Sequence, residues 1–377
     1  MEMPHHYIHD AVHRNQANEA PRKNNYPSCG HLSQYNQKIV SSMLYNIQIA
    51  RLVSLSFVAI AHIFWTGRNY NQASHYGIII DNYSHNFVDL FLVISGFIIY
   101  YVQFRNGKTP FLFIKDRLIR IIPIYWILTF ALVAIALTWP TIFNSLHLDQ
   151  DKIIKSFLFC YSIANREHPV IYLGWSLELE FVFYVVFFVA MILTKSKSPL
   201  YSTCAIILGL TLFGFVKPII LEFALGMICC KIYLDGYMNK YRNVFLVTGV
   251  FLILISPLFD IQYYEYLKRV FAWGIPSSLI IFWAATCRQT RENIFTEIAK
   301  SSYSIYLVQA FTIPAFYKFS SKFLPSAQGD ILALVCFVFT IGSGIAFYHA
   351  VEAPVTRALK RLTAGFPSAR PVTVGDA

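Results

Sequence analysis

Apolar residues in this chain come in runs of about 17 to 22, one after another, with short polar breaks between them. A run of about 20 such residues is what a helix needs to cross roughly 30 Å of hydrocarbon. Each run has to be helical, because lipid offers no partner to an unpaired backbone amide. Ten candidate spans follow, at about 47–66, 86–104, 118–139, 173–194, 200–216, 218–235, 243–259, 270–287, 301–320 and 330–350. The pattern therefore predicts an all-α, polytopic transmembrane bundle of about ten spans over 43–356. The longest break, about 140–172, contains an apolar stretch from Ile153 to Ile163 that is too short to cross, so it lies on the surface or dips in. No internal repeat is visible, which argues against a transporter built from inverted halves.

Composition sharpens this picture. Of 377 residues, 56% are hydrophobic and 14% charged, where a soluble domain carries about a quarter charged. The net charge of +11 does not imply a nucleic-acid partner, because the basic residues sit in the breaks between runs and not on one soluble face. Of the 31 Lys and Arg, 21 fall on one side if the spans alternate, and the positive-inside rule makes that side cytoplasmic, with both termini on it. Residues 1–42 are polar and rich in His, Asn, Gln and Pro; they are expected to be a disordered arm without a signal peptide, and Met43 is an alternative start. His5, His6, His9 and His13 lie in this polar arm and are read as part of a solvated tail, not as a metal site. Residues 357–377 read as a basic cytoplasmic tail. The seven cysteines show no ligand spacing and are expected to be packing residues.

Ionisable residues inside a span are costly and mark candidate sites. Arg51 and His62 share the first span, about 16 Å apart along its axis and on roughly one face. Asp89 opens the second span near the depth of His62, where it can orient the imidazole. Glu178 and Glu180 open the fourth span in the same outer half. Arg117 and Arg120 lie one turn apart at the head of the third, with Arg105 and Lys115 nearby. Cations thus gather at the inner mouth, suited to the phosphates of a cytoplasmic cofactor; a histidine with acids gathers in the outer half, suited to taking a proton from a hydroxyl. The plainer alternative is that the arginines are positive-inside anchors and His62 a packing histidine. Arg105 and Lys115 read as such anchors.

Several ordered stretches resemble acyltransferase family 3, polytopic enzymes that move acyl groups onto surface glycans. Arg51 and His62 resemble its Arg-x10-His, and Phe87 to Phe97 its second-span signature. Arg117-Leu-Ile-Arg120 with Pro123-Ile-Tyr125-Trp126 is similar to its third-span segment, and Trp175-Ser-Leu-x-x-Glu180-x-x-Phe183-Tyr184 to its fourth. Ser302 to Leu307 and Val351-Glu352-x-Pro354 are similar to its C-terminal elements. Gln309 departs from the family, standing where many members carry histidine. The exopolysaccharide acetyltransferases are the most similar branch. The resemblance implies an O-acyltransferase of the bacterial cytoplasmic (inner) membrane with acetyl-CoA as donor and a polysaccharide or glycolipid acceptor. Arg51, Arg117 and Arg120 would hold CoA, His62 would be base or acyl carrier, and Asp89 and Glu180 would assist; no metal is implied. An exporter or flippase of a lipid-linked glycan is the alternative from another class, and a structural partner of a synthase complex a third. No P-loop supports primary transport.

Overall fold

The computed structural model describes residues 44–77, 83, 86–140, 148–195, 198–259, 261 and 265–363; the predicted N-terminal arm lies outside them, as does most of the basic tail. Every regular element among the described residues is helical. In chain order they are α1 (Tyr45–Asn69), α2 (Asn86–Asn106), α3 (Pro110–Thr138), α4 (Gln150–Phe157), α5 (Tyr161–Asn165), α6 (Gly174–Leu193), α7 (Pro199–Leu212) and α8 (Leu221–Asp235). Then follow α9 (Arg242–Ile255), α10 (Tyr266–Arg269), α11 (Ile275–Thr286), α12 (Ile294–Lys300), α13 (Ser302–Phe323), α14 (Gly329–Phe347) and α15 (Ala353–Thr363).

All ten apolar runs form helices, and among the described residues seven helices are long and apolar enough to cross a membrane. The other three differ for physical reasons. α7 has 14 residues, about 21 Å of helix against roughly 30 Å of hydrocarbon, and α8, continuous with the 3-10 turn Pro218–Ile220 before it, carries three charged residues, Glu222, Lys231 and Asp235. α13 is long enough at 22 residues, but serine, tyrosine, glutamine and lysine replace much of its apolar surface, and most of it is buried against other helices.

Two glycines set the core. A Cβ on Gly96 of α2 would stand 2.1 Å from the carbonyl oxygen of Phe223, and one on Gly226 of α8 would stand 2.1 Å from that of Val93. Only the missing side chains let these two backbones touch, the way membrane helices gain packing without a hydrophobic drive. α13 packs along α14 and α1. The Lys115 ammonium donates to the carbonyl of Thr363 (3.3 Å), and Asn46 donates to the carbonyls of Ala284 and Arg288. The starts of α1 and α3 therefore share one end of the bundle with the ends of α11 and α15.

The long break divides in two. α4 is amphipathic and partly exposed, whereas the two ends of 159–173 pack into the bundle with 164–168 exposed between them: Phe159 packs between Tyr125 and Phe181 (ring centroids 4.5 and 5.2 Å), and Ile171 and Leu173 are buried. Two π turns, Val270–Gly274 and Tyr348–Glu352, adjoin buried charges at Arg269 and Glu352. Such turns re-aim a helix face where function or packing requires it.

Candidate active site

α1 carries a single stripe through Arg51, Leu55, Val58 and His62, spaced four, three and four residues apart, so all four point to one side. The Ser54 hydroxyl donates to the Phe87 carbonyl (2.5 Å) and Phe57 stacks on Phe87 at 4.0 Å, seating α2 alongside. The Arg51 guanidinium lies 5.4 Å from the centre of the Phe91 ring. Between Arg51 and His62 is a small, mostly apolar cavity bordered by Ser54, Val58, Phe91, Ser176 and Tyr306. Two hydroxyls meet at its wall: Tyr306 Oη is 2.7 Å from Ser176 Oγ and donates to the Leu173 carbonyl at 3.0 Å.

At the Arg51 end the three predicted arginines come together. Arg120, Glu180, Tyr184 and Glu352 are the groups whose charges act on Arg51. Arg117 and Arg120 both act on Tyr184. Arg117 lies over the rings of Phe113 and Tyr184 at 5.8 and 6.0 Å. The two acids are held by neighbours other than the arginines. Tyr184 donates to Glu180 (2.5 Å) and Ser304 to Glu352 (2.5 Å). Tyr303, whose hydroxyl donates to the Ile121 carbonyl at 2.7 Å, closes the cluster. Three guanidiniums face two carboxylates, and among the described residues none of the three arginines forms an ion pair. Arg117 Nε is buried with no hydrogen-bond partner among the described residues. The surplus charge and the orphan donor together fit an anion of the phosphate type.

At the other end, His62 Nδ1 is 3.4 Å from Oε1 of Gln309, and the ring meets Tyr172 edge-on at 5.2 Å. Tyr172 comes from the inserted 159–173 segment, which Glu178 anchors. The Glu178 carboxylate accepts from Tyr161 N (3.1 Å), Ser162 N (2.7 Å) and the Ser162 hydroxyl (2.5 Å).

Two expectations are corrected. Asp89 does not orient His62: its carboxylate is bound by Arg269 at 2.7 Å, both side chains fully buried, with Glu222 of α8 beside it. The cause is helical phase. Asp89 lies about 200° around α2 from Phe87 and Phe91, the residues that face α1. Glu180 does not stand with His62 either, since it faces the arginine cluster. Sequence reasoning also passed over Glu222, although an acid inside the 218–235 run was signal enough, and over Arg269, which sits one residue before the 270–287 run and reads as a loop anchor. The contact of Gln309 with His62 had no local signal.

These elements and this site define a polytopic membrane protein with an arginine cluster, a histidine and a small cavity lying between them. The profile of an acyltransferase domain, acyltransferase family 3, matches residues 44–349, and the chain belongs to that family. It is 30% identical over 298 residues to the exopolysaccharide production protein ExoZ of Rhizobium meliloti (strain 1021), an alignment covering 74% of this chain and 92% of the relative. No solved structure matches it.

Proposed function

We propose that this protein is an O-acyltransferase of the bacterial cytoplasmic (inner) membrane, moving an acetyl group from cytoplasmic acetyl-CoA to a hydroxyl of an exported polysaccharide or its glycolipid precursor. The observation that carries the reading is the shared stripe of Arg51 and His62, about 16 Å apart, with an apolar cavity between them. That span suits an extended thioester arm whose phosphates stay at one end while its acyl group reaches the other. The exopolysaccharide acceptor is supported by the name of the Rhizobium relative. Both termini and the arginine end face the cytoplasm in this reading, since 21 of 31 Lys and Arg then lie inside.

Arg51, Arg117 and Arg120 hold the CoA phosphates. The Arg51 and Arg117 guanidiniums rest against ring faces, which reduces the ordering left for the ligand to do. Glu180 and Glu352 act on Arg51 through space and moderate the positive charge of the cluster. His62 donates Nδ1–H to Gln309, which leaves the Nε2 lone pair directed at the acceptor hydroxyl. His62 takes the hydroxyl proton as the oxygen attacks the thioester carbonyl, then returns it to the departing CoA thiolate. Tyr172, edge-on to the imidazole, closes the acceptor side.

The test is CoA release by purified protein in lipid nanodiscs, given acetyl-CoA with and without a surface-glycan fraction, wild type beside His62→Ala. Glycan-dependent release that His62→Ala abolishes, with the variant still inserted in the membrane, is the expected result. Undiminished release by His62→Ala would sink the role given to the histidine, and no release by wild type with any acyl-CoA and glycan would sink the reaction.

A further inference from the structure

Gln309 is fully buried, and its carboxamide is divided: Oε1 faces His62 Nδ1, while Nε2 has no hydrogen-bond partner among the described residues. A buried amide nitrogen without an acceptor costs about 1–3 kcal/mol, and in native proteins such orphans collect where chemistry supplies the missing partner. The placement is specific. Val58 and Tyr306 border the cavity between the arginines and the histidine. His62 lies four residues beyond Val58 on α1, and Gln309 three residues beyond Tyr306 on α13. Both side chains therefore sit about one helical turn past the cavity, where an acyl group carried along it would arrive.

We infer that the Nε2 of Gln309 donates a hydrogen bond to the thioester carbonyl oxygen and to the oxyanion that develops on it, so that one carboxamide both orients the base and stabilises the charge. This rests on the acyltransferase reading above. The acceptor oxygen forms a bond to the carbonyl carbon while its proton passes to His62 Nε2. The carbonyl π electrons move to the oxygen, which Gln309 Nε2–H stabilises. They return as the carbon–sulfur bond breaks, and the thiolate takes the proton from His62. No further reactant is needed. Preorganised amide donors of this kind contribute about 10²–10³ in kcat.

Gln309→Glu and Gln309→Leu distinguish this from a role in orientation alone. Glutamate keeps an acceptor for Nδ1–H but removes the donor, so kcat should fall about 100-fold or more with the KM for acetyl-CoA within twofold. The alkaline shift that a carboxylate gives to the histidine limb of the pH profile should not restore it. Leucine should also lose kcat and not KM. Glutamate retaining wild-type kcat above the shifted limb would overturn the proposal, leaving Gln309 a positioning residue only. If Gln309→Glu does not fold, a second measurement decides. Acetyl-CoA labelled at the carbonyl carbon and bound to His62→Ala should show a lowered carbonyl stretching frequency that reverts in His62→Ala/Gln309→Leu. An identical frequency in both would overturn it. Wild-type turnover, measured alongside, reports on the acyltransferase reading separately.

Discussion

The bundle contains two clusters of buried charge, and they are built on opposite principles. In the first, Arg51, Arg117 and Arg120 outnumber Glu180 and Glu352, the arginines are only half-buried, and one guanidinium nitrogen lacks a partner among the described residues. In the second, Asp89, Arg269 and Glu222 are all fully buried, and the guanidinium is bound directly to a carboxylate. The first has positive charge to spare and is partly exposed, so it has capacity for an anion; the second is sealed and serves to fix α2, α8 and α10 against one another. A charge inside a membrane is a reason to look for function, but stoichiometry and exposure decide which kind.

The largest effect expected from breaking this contrast is at Arg269. Arg269→Ala leaves Asp89 and Glu222 without a cation in a site closed to water, and removing one partner of a buried pair costs about 3–5 kcal/mol. Thermal unfolding in detergent or nanodiscs should show a large drop, with little protein recovered from the membrane. Normal stability in this variant would mean that the cluster is open, and the distinction between the two would fail.

The open cluster should respond in the other way. Arg120→Ala removes a cation that repels Arg51 and is in no ion pair, so stability should change by less than about 1 kcal/mol, while the KM for acetyl-CoA rises about 10- to 100-fold, equivalent to about 1.4–2.7 kcal/mol of charge-assisted phosphate contact. Arg117→Ala should behave similarly. Steady-state kinetics on the nanodisc protein decides: an unfolded Arg120→Ala, or an unchanged KM, would place these arginines with the structural charges.

Which parts of this were legible from sequence follows from how far each depends on helix phase. Arg51 and His62 share one helix, so their spacing alone put them on one face, and Arg117 and Arg120 are likewise one turn apart. Asp89 and Glu180 were placed at plausible depths but against the wrong neighbours. In both, the carboxylate points about 200° away from the residue two positions along, Phe91 for Asp89 and Glu178 for Glu180, and what faces it depends on how the helices dock; Glu178, which its depth alone would leave facing headgroup water, is buried on Tyr161 and Ser162. For α2 that docking is set by Gly96 and Gly226, whose contact brings Asp89 to Glu222 and not to α1. α13 was found as a run, yet its low hydropathy was the better clue, since a helix that lines the site has to carry polar side chains such as Tyr306 and Gln309.

The smallest expected effect is also the most discriminating for the sealed cluster. Arg269 binds Asp89 through Oδ2, and the Glu222 carboxyl stands within hydrogen-bonding reach of Asp89. Glu222→Gln keeps the shape, removes one acidic group from a site with a single cation, and supplies an N–H donor beside Asp89. The amide thus replaces a shared proton with a donor of its own, a hydrogen bond of about 1 kcal/mol is kept, and the melting temperature should hold or rise slightly. Asp89→Asn, in contrast, takes the carboxylate from Arg269 and should lower it. Should Glu222→Gln be the more damaging of the two, the arginine would depend on Glu222 for its charge balance, and Asp89 would be available for a role outside the cluster after all.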